Sequence, residues 1–280
     1  MKLPVSILAA LLVTTTTSSV WAATGYSTDF SGFTTSVDPN PPNVPTALAG
    51  QDGWQISNVP ATTGLSFVYD YQTTGSTWGA LGGHFAIPDQ NPTHLTHSVD
   101  LPLSALNFSV DFAISSTTFT APVTQDEFAW SFNSANPGDL FRIGFVPSSS
   151  TLLQVFWYDS ANTPTAAKDG SNNNIFVSYD SIYTLQVDAD PAGADVLATA
   201  TLIPGVGSPV VFSNTLVGLA NETVNEFGAD FNATADLGNA GDNTMFFDNL
   251  TVVPETSSSV ALGLSALALC AFRMKRSAKA

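Results

Sequence analysis

Paired carboxylates are the first candidate for catalysis in this chain. Hydrolysis of a glycosidic bond uses two carboxyl groups on one face, one as acid and one as base or nucleophile. Between Thr24 and Val253 the chain has three glutamates, Glu127, Glu222 and Glu226. The last two are four residues apart, but the polar residues around them are typical of a loop or a strand end. No serine lies in the Gly-x-Ser-x-Gly motif of serine hydrolases. We therefore predict no catalytic residues and no enzymatic activity.

The three histidines, His84, His94 and His97, lie within 14 residues of one another. On a strand, His94 and His97 would point to opposite faces because side chains alternate. A zinc site would need them to converge, with Asp89 as a further ligand. A loop would allow these side chains to converge on a metal, but we interpret the three histidines as polar loop residues.

Aromatic residues are the candidates for sugar binding, because rings can stack on sugars when they are exposed. Leu152–Tyr158 is apolar on both faces, and its second face carries Gln154, Phe156 and Tyr158. A central strand that is covered on both sides would have this pattern. A strand whose outer face lines a concave groove would have it too. Trp78, in a stretch rich in Gly and Thr, is either a core residue or, at a loop tip, a further ligand-binding residue.

Asp248 is the candidate for metal binding. In an extended strand it shares parity with Phe246, Leu250 and Val252, so we predict that it points with apolar residues. A carboxylate on a buried face needs partners, and these are either backbone amides or a cation. Calcium suits such an oxygen site. Asp29, or Asp52, would be a second ligand if the first and last strands are neighbours.

Charge excludes several classes of partner. The segment from Thr24 to Val253 holds 22 of the 23 acidic residues and only two of the seven Lys and Arg, a net charge of about −20. Such a surface repels nucleic acid and anionic lipid head groups. The only cysteine, Cys270, lies beyond this segment, which therefore has no disulfide. At about 230 residues the segment is long enough to bury a core without one.

The same segment has the residue pattern of β-strands almost throughout. Apolar and polar residues alternate around Phe108, Phe128, Phe141 and Tyr183, and Gly, Pro, Asn and Asp mark the turns between them. No stretch of 12 or more residues has a helical period. A dozen or so strands in one domain need two packed sheets. The sequence predicts an all-β, jelly-roll β-sandwich of two antiparallel sheets over residues 24–252.

Both ends of the chain predict export. Lys2, the apolar run Leu3–Val13 and the small-x-small site Val20-Trp21-Ala22 form a signal peptide, residues 1–23. At the other end, Val253-Pro254-Glu255-Thr256 precedes the apolar run Val260–Phe272. The basic residues Arg273, Lys275 and Arg276 follow, and would hold the end on the cytoplasmic side of a membrane. A buried core helix is the alternative, but such a helix would be amphipathic.

This tail, residues 253–280, resembles the PEP-CTERM sorting segments of Gram-negative bacteria, with Pro254-Glu255-Thr256 in place of Pro-Glu-Pro. The resemblance implies processing by an exosortase-type enzyme and transient anchoring in the inner membrane. Release to the cell surface or the extracellular matrix would follow. A sortase signal of the Leu-Pro-x-Thr-Gly kind is the less similar alternative.

The central segment resembles concanavalin A-like lectin/glucanase sandwiches. The residues that carry this resemblance are Ala49-Gly50-Gln51-Asp52-Gly53-Trp54 and Asp242 to Leu250 in the predicted last strand. It implies the fold, carbohydrate contact and a structural calcium ion.

Three functions remain open. The first is an exported, non-enzymatic surface or matrix protein whose sandwich binds a glycan, such as an exopolysaccharide, or a surface partner. The second is a secreted carbohydrate-active enzyme, a hydrolase or lyase, and the third is a purely structural coat component.

Overall fold

In a computed structural model of the chain, each run of alternating apolar and polar residues forms a β-strand. The structure describes residues 23–35, 46–57, 66–70, 76–82, 93–116, 127–135, 139–232 and 243–254. Within them the chain forms sixteen strands and one short 3-10 turn, Leu103–Ala105. The predicted signal peptide before Ala23 and the tail after Pro254 lie outside the described residues.

The first sheet has eight strands. Seven follow the order β14-β13-β12-β6-β16-β4-β3, and β1 also pairs with β16. Their bounds are Tyr26–Thr28 (β1), Ser66–Asp70 (β3), Thr77–Gly82 (β4), Leu106–Ile114 (β6), Tyr183–Ala192 (β12), Asp195–Pro204 (β13), Val210–Leu216 (β14) and Thr244–Pro254 (β16). The β1–β16 pairing makes the first and last described strands neighbours.

The second sheet also has eight strands, in the order β10-β9-β8-β7-β15-β5-β2, with β11 paired to β9. Their bounds are Gln55–Ser57 (β2), Thr93–Pro102 (β5), Glu127–Asn133 (β7), Asp139–Pro147 (β8), Leu152–Tyr158 (β9), Pro164–Ala166 (β10), Phe176–Ser178 (β11) and Thr223–Asn232 (β15). All strand pairs in both sheets are antiparallel. The prediction of two antiparallel sheets is confirmed.

Aromatic side chains from both sheets fill the space between them. The ring of Trp130 in the second sheet lies 5.3 Å from Phe108 and 5.3 Å from Phe247, both in the first sheet. All three are fully buried. Burial of large apolar side chains of this kind is the main stabilising contribution in a sandwich. Since every second residue of a strand faces this core, the residues between them face outward, and these decide what the protein can bind.

The last described residues, Val253 and Pro254, are the start of the predicted sorting signature. Val253 and Pro254 belong to β16, where they pair with Asn107 and Leu106 of β6. Glu255, Thr256, the apolar run and Arg273, Lys275 and Arg276 lie outside the described residues. Among the residues that are described, no helix is long and apolar enough to cross a membrane.

Candidate functional site

The outward side chains of the second sheet form a connected polar cluster, which we call the polar face. They come from five strands, β5, β15, β7, β8 and β9, and each alternates with residues that point into the core. Its members are His94, Glu127, Ser131, Asp139, Arg142, Tyr158, Glu226 and Asp230. The face therefore crosses the middle of the sheet.

Asp230 is the most buried acidic group of the polar face, at 4% exposure. Its Oδ1 lies 2.8 Å from His94 Nδ1 and accepts a hydrogen bond from Ser131 Oγ at 3.0 Å. Its Oδ2 lies 3.6 Å from Arg142 Nη1. A buried carboxylate is costly unless it is paired, and here two basic side chains and a hydroxyl compensate it.

Arg142 connects the two halves of the face. Its Nε lies 3.5 Å from Asp139 Oδ2, and its Nη2 donates a hydrogen bond to Asn162 Oδ1. At 3.5 and 3.6 Å the contacts with the two carboxylates are ion pairs beyond hydrogen-bond range. The guanidinium carbon also lies 4.6 Å from the centre of the Tyr158 ring, a cation–π contact. One of the two strong cations of the acidic segment is thus held between acidic groups and an aromatic ring.

Tyr158 lies flat on the sheet because its neighbour is a glycine. A Cβ on Gly144 would come within 2.5 Å of Tyr158 Cε2, so any side chain there would displace the ring. The Tyr158 hydroxyl donates a hydrogen bond to Glu127 Oε1 at 2.5 Å. Burial and this hydrogen bond raise the pKa of Tyr158, so the phenol stays protonated.

An aromatic edge borders the polar face, formed by Gln154, Phe156 and Tyr158 of β9 and Phe176 of β11. Phe176 pairs with Gln154 in the strand register, so both point to the same face. Phe176 is 40% exposed, which is high for a phenylalanine, and Phe156 is half-buried. The edge therefore presents aromatic surface to solvent next to polar groups.

A shallow depression of about 260 Å³ crosses the polar face from β2 to β8. His94 and Thr96 of β5 line it together with Asp139 and Glu226, and β2 closes its far side. Burial raises the pKa of Asp139, while the hydrogen bond to Asp230 raises the pKa of His94. Because Asp139 belongs to β8, the depression extends across the sheet to the strand next to β9.

Comparison with protein-family models and with curated protein sequences finds no match. Distant likenesses appear among solved structures. The winged bean acidic lectin, in complex with methyl-α-D-galactose, is 8% identical over 82% of this chain and 97% of its own, with a TM-score of 0.49. An alginate lyase from Aplysia kurodai is 8% identical over 68% of this chain and 87% of its own, with a TM-score of 0.47. At such low identities and TM-scores, these proteins assign neither a ligand nor an activity to this chain.

The structure brings together three of the four predicted ligand-binding residues. Gln154 and Phe156 are half-buried and Tyr158 is buried on the outer face of β9, while Leu153, Val155 and Trp157 are in the core. Trp78 lies apart from them, in β4 of the first sheet, and its side chain is buried against Ala113. The loop-tip alternative for Trp78 was wrong, because Thr77–Gly82 is a strand.

The prediction that the histidines lie in a loop was also wrong for His94 and His97. His94 and His97 lie in β5 and face opposite sides, as their spacing predicts. His94 contacts Asp230, whereas the His97 ring stacks on Tyr26 with centroids 3.7 Å apart. His84 and Asp89 lie outside the described residues.

Asp248 points to the outer face of the first sheet, which corrects the predicted parity. The strand register shifts between Asp248 and Thr251, and Asn249 has a φ of 49°. Because of this bulge, Asp248 shares a face with Phe246 but not with Leu250 or Val252. Asp248 is nevertheless only 6% exposed, and it pairs in register with Asp111.

The predicted calcium ligands accept hydrogen bonds mostly from residues close to them in the sequence. Asp248 Oδ1 accepts a hydrogen bond from the Asn249 N–H at 2.7 Å. Asp29 Oδ1 accepts bonds from the N–H and hydroxyl of Ser31. Burial, and then the charges of Asp111 and Asp29, raise the pKa of Asp248 to about 6. Over the described ranges, no group of three His, Cys, Asp or Glu side chains is arranged to hold a metal.

We expect the His94–Asp230 pair to make stability depend on pH. Asp230 raises the pKa of His94 above its ordinary 6.5, so the stabilisation is full below about pH 6.5 and is lost as the pH rises through the higher folded-state value. The side chain of His94 is 35% exposed, so the contribution is at most about 1 kcal/mol, roughly 2–4 °C in Tm. His94→Gln should lower Tm at pH 6 by about this amount and leave Tm at pH 9 nearly unchanged.

The control is the double variant with Asp230→Asn. If the two side chains act as a pair, adding His94→Gln to Asp230→Asn should cost less than His94→Gln alone. Equal losses at pH 6 and pH 9 would contradict the assigned pairing.

Proposed function

We propose that this chain is an exported, non-enzymatic surface or matrix protein whose second sheet binds a neutral glycan across its outer face. The observation that carries the proposal is the aromatic edge beside the polar face. Sugars offer apolar ring faces and hydroxyl groups together, so a protein that binds them needs exposed aromatic surface next to hydrogen-bonding groups. Phe156, Phe176 and Gln154 supply this combination in one plane.

Charge favours a neutral glycan. The polar face holds the carboxylates Glu127, Asp139, Glu226 and Asp230 against one arginine and one histidine. Arg142 is already paired with two of these carboxylates. An anionic polysaccharide would meet a net negative polar face whose arginine is already paired, and would be repelled by it.

The side chains exposed at the aromatic edge support a binding role over catalysis there. A general acid or base has to reach the substrate with a proton to give or accept. Here Asp230 is engaged by His94, Ser131 and Arg142, and the Tyr158 hydroxyl is bound to Glu127. The side chains that remain open to solvent on the aromatic edge are a glutamine and phenylalanines, which are not acid–base groups.

Export and anchoring form the second part of the proposal. The signal peptide and the tail with its Pro254-Glu255-Thr256 signature support entry into the inner membrane and exosortase-type processing in a Gram-negative bacterium. The start of this signature at the end of β16 supports a cut just beyond the last strand, which would leave the sandwich whole.

Calcium at Asp248 is proposed as a structural ligand of the first sheet. Its support is that Asp248 is only 6% exposed and that burial and the charges of Asp111 and Asp29 raise its pKa. Asp248 and Asp29 would each supply an oxygen ligand, and water would complete the coordination of a hard cation.

Replacement of Phe176 tests the glycan proposal directly. Phe176→Ala removes an exposed ring at little cost to the core, and should weaken binding of a neutral hexasaccharide about fivefold to tenfold, or about 1–1.4 kcal/mol. Calorimetry with gluco-, manno- and galacto-hexaoses, alongside an alginate hexamer, provides the measurement. Leu197→Ala is the matched control, because Leu197 is 39% exposed but lies on the first sheet.

Three outcomes would contradict the proposal. Binding that is unchanged in Phe176→Ala would remove the aromatic edge from the site. Release of reducing ends or of unsaturated products would show an enzyme. Absence of binding to every glycan would favour the structural coat component.

Replacement of Asp248 tests the calcium proposal. Because the pKa of Asp248 is raised to about 6 in the fold, its ionisation is unfavourable and the destabilisation develops as the pH rises from about 4 to 6. In a chelator at pH 8, Asp248→Asn should therefore raise Tm, while at pH 3.5 it should have little effect. Added calcium should raise the Tm of the wild type but not that of the variant.

The matched control is Asp190→Asn, which removes one charge at an exposed position. If it raises Tm as much as Asp248→Asn does, the gain reflects overall charge only. A wild-type Tm that is the same in calcium and in chelator would end the calcium proposal.

A further inference from the structure

The hairpin β13–β14 differs from the rest of the acidic segment because it carries almost no charge. Residues 196–221 contain no Asp, Glu, Lys or Arg, and this is the longest uncharged run between Thr24 and Val253. The acidic group at its start, Asp195, is bound to the Gly218 N–H at 2.8 Å. In a segment with a net charge of about −20, such a run is where another acidic surface meets the least repulsion.

Exposed apolar side chains concentrate on the same hairpin. Of the five large apolar residues that are exposed in the described part of the chain, four lie here, and the fifth is Phe176. The four are Leu197 (39% exposed), Val206 (95%), Val211 (53%) and Val217 (77%). Val206, Val211 and Val217 lie before, within and after β14, so a molecule that pairs along β14 would contact all three.

β14 is also an edge strand. Within the described residues it pairs with β13 alone, so one side of its backbone is open to another strand. Edge strands are usually protected by charged residues or proline. Val210–Leu216 contains neither.

We propose that β14 pairs with β14 of a second copy of this chain, in an antiparallel dimer around a two-fold axis at Ser213. In this register Val210 lies opposite Leu216, Val211 opposite Thr215 and Ser213 opposite Ser213, so uncharged residues face one another along the whole strand. The antiparallel direction also brings the end that carries Val206 beside the partner end that carries Val217. A two-fold interface requires such reciprocal placement of complementary groups on one surface.

A second copy fits this edge better than an unrelated partner. Contact through strands that carry Asp or Glu would bring two acidic surfaces together, whereas these two hairpins are uncharged. Screening by salt should therefore strengthen the dimer, because it weakens repulsion between the bodies and leaves the uncharged contact intact.

The test compares two lysine variants, one on the edge strand β14 and one on its neighbour β13. Ser213→Lys would put two like charges directly opposite each other across the two-fold, about 5 Å apart. Thr199 pairs with Ser213 in register, so Thr199→Lys makes the same charge change on the same face. In the dimer those lysines would be roughly 14 Å apart, beyond the screening length of about 8 Å at 0.15 M salt.

Sedimentation of the full chain in a mild non-ionic detergent, which covers the apolar tail, measures the oligomeric state. The wild type and Thr199→Lys should be dimers at micromolar concentration. Ser213→Lys should raise the dissociation constant at least tenfold. Raising the salt from 0.02 to 0.5 M should tighten the wild-type dimer.

A monomeric wild type would overturn the proposal, as would a Ser213→Lys dimer of unchanged affinity. Equal loss in both lysine variants would place the contact on the outer face of the hairpin instead of its edge, and would also overturn it. If Ser213→Lys does not fold, as judged by circular dichroism, Val217→Asp replaces it with the same expected loss.

Discussion

Compensation of the buried Asp230 carboxylate is the constraint that organises the outer face of the second sheet. An acidic group at 4% exposure needs nearby positive charge, and the segment around it offers only two strong cations. Arg142 and His94 meet this need from two different strands, with Ser131 between them. Arg142 then lies over the Tyr158 ring, and Gly144 leaves room for that ring. One electrostatic requirement thus fixes side chains on five adjacent strands.

The same compensation limits what the face can do. With Arg142 paired to Asp139 and Asp230, little positive charge is left for an anionic ligand. Exposed surface suited to a ligand lies instead at the aromatic edge, where Phe156 and Phe176 flank Gln154. We therefore interpret the network as a support beside the proposed sugar-binding surface. The neutral β13–β14 hairpin lies in the other sheet, so association through it would leave this surface open.

Local pattern was sufficient to predict the sheets and the outward side of β9, because alternation within a strand depends on neighbouring residues only. It placed Phe128, Trp130 and Phe132 in the core correctly. It could not find the contact of His94 with Asp230, which are 136 residues apart and meet only through the order of strands. Alternation also failed at Asp248, since the bulge at Asn249 reverses the face of every residue beyond it. One available signal was overlooked: Arg142 is a rare cation in the middle of an apolar alternating run, where a buried acidic partner should be expected.

The central claim is that the outer face of the second sheet is the binding surface. Amide chemical shifts of the isotopically labelled chain, followed during titration with a neutral hexasaccharide that binds, test it most directly. We expect the largest changes at Gln154, Phe156 and Phe176, with smaller changes at Arg142, and none in β13 or β14. Changes confined to strands of the first sheet, with the amides of β8, β9 and β11 unmoved, would contradict the account.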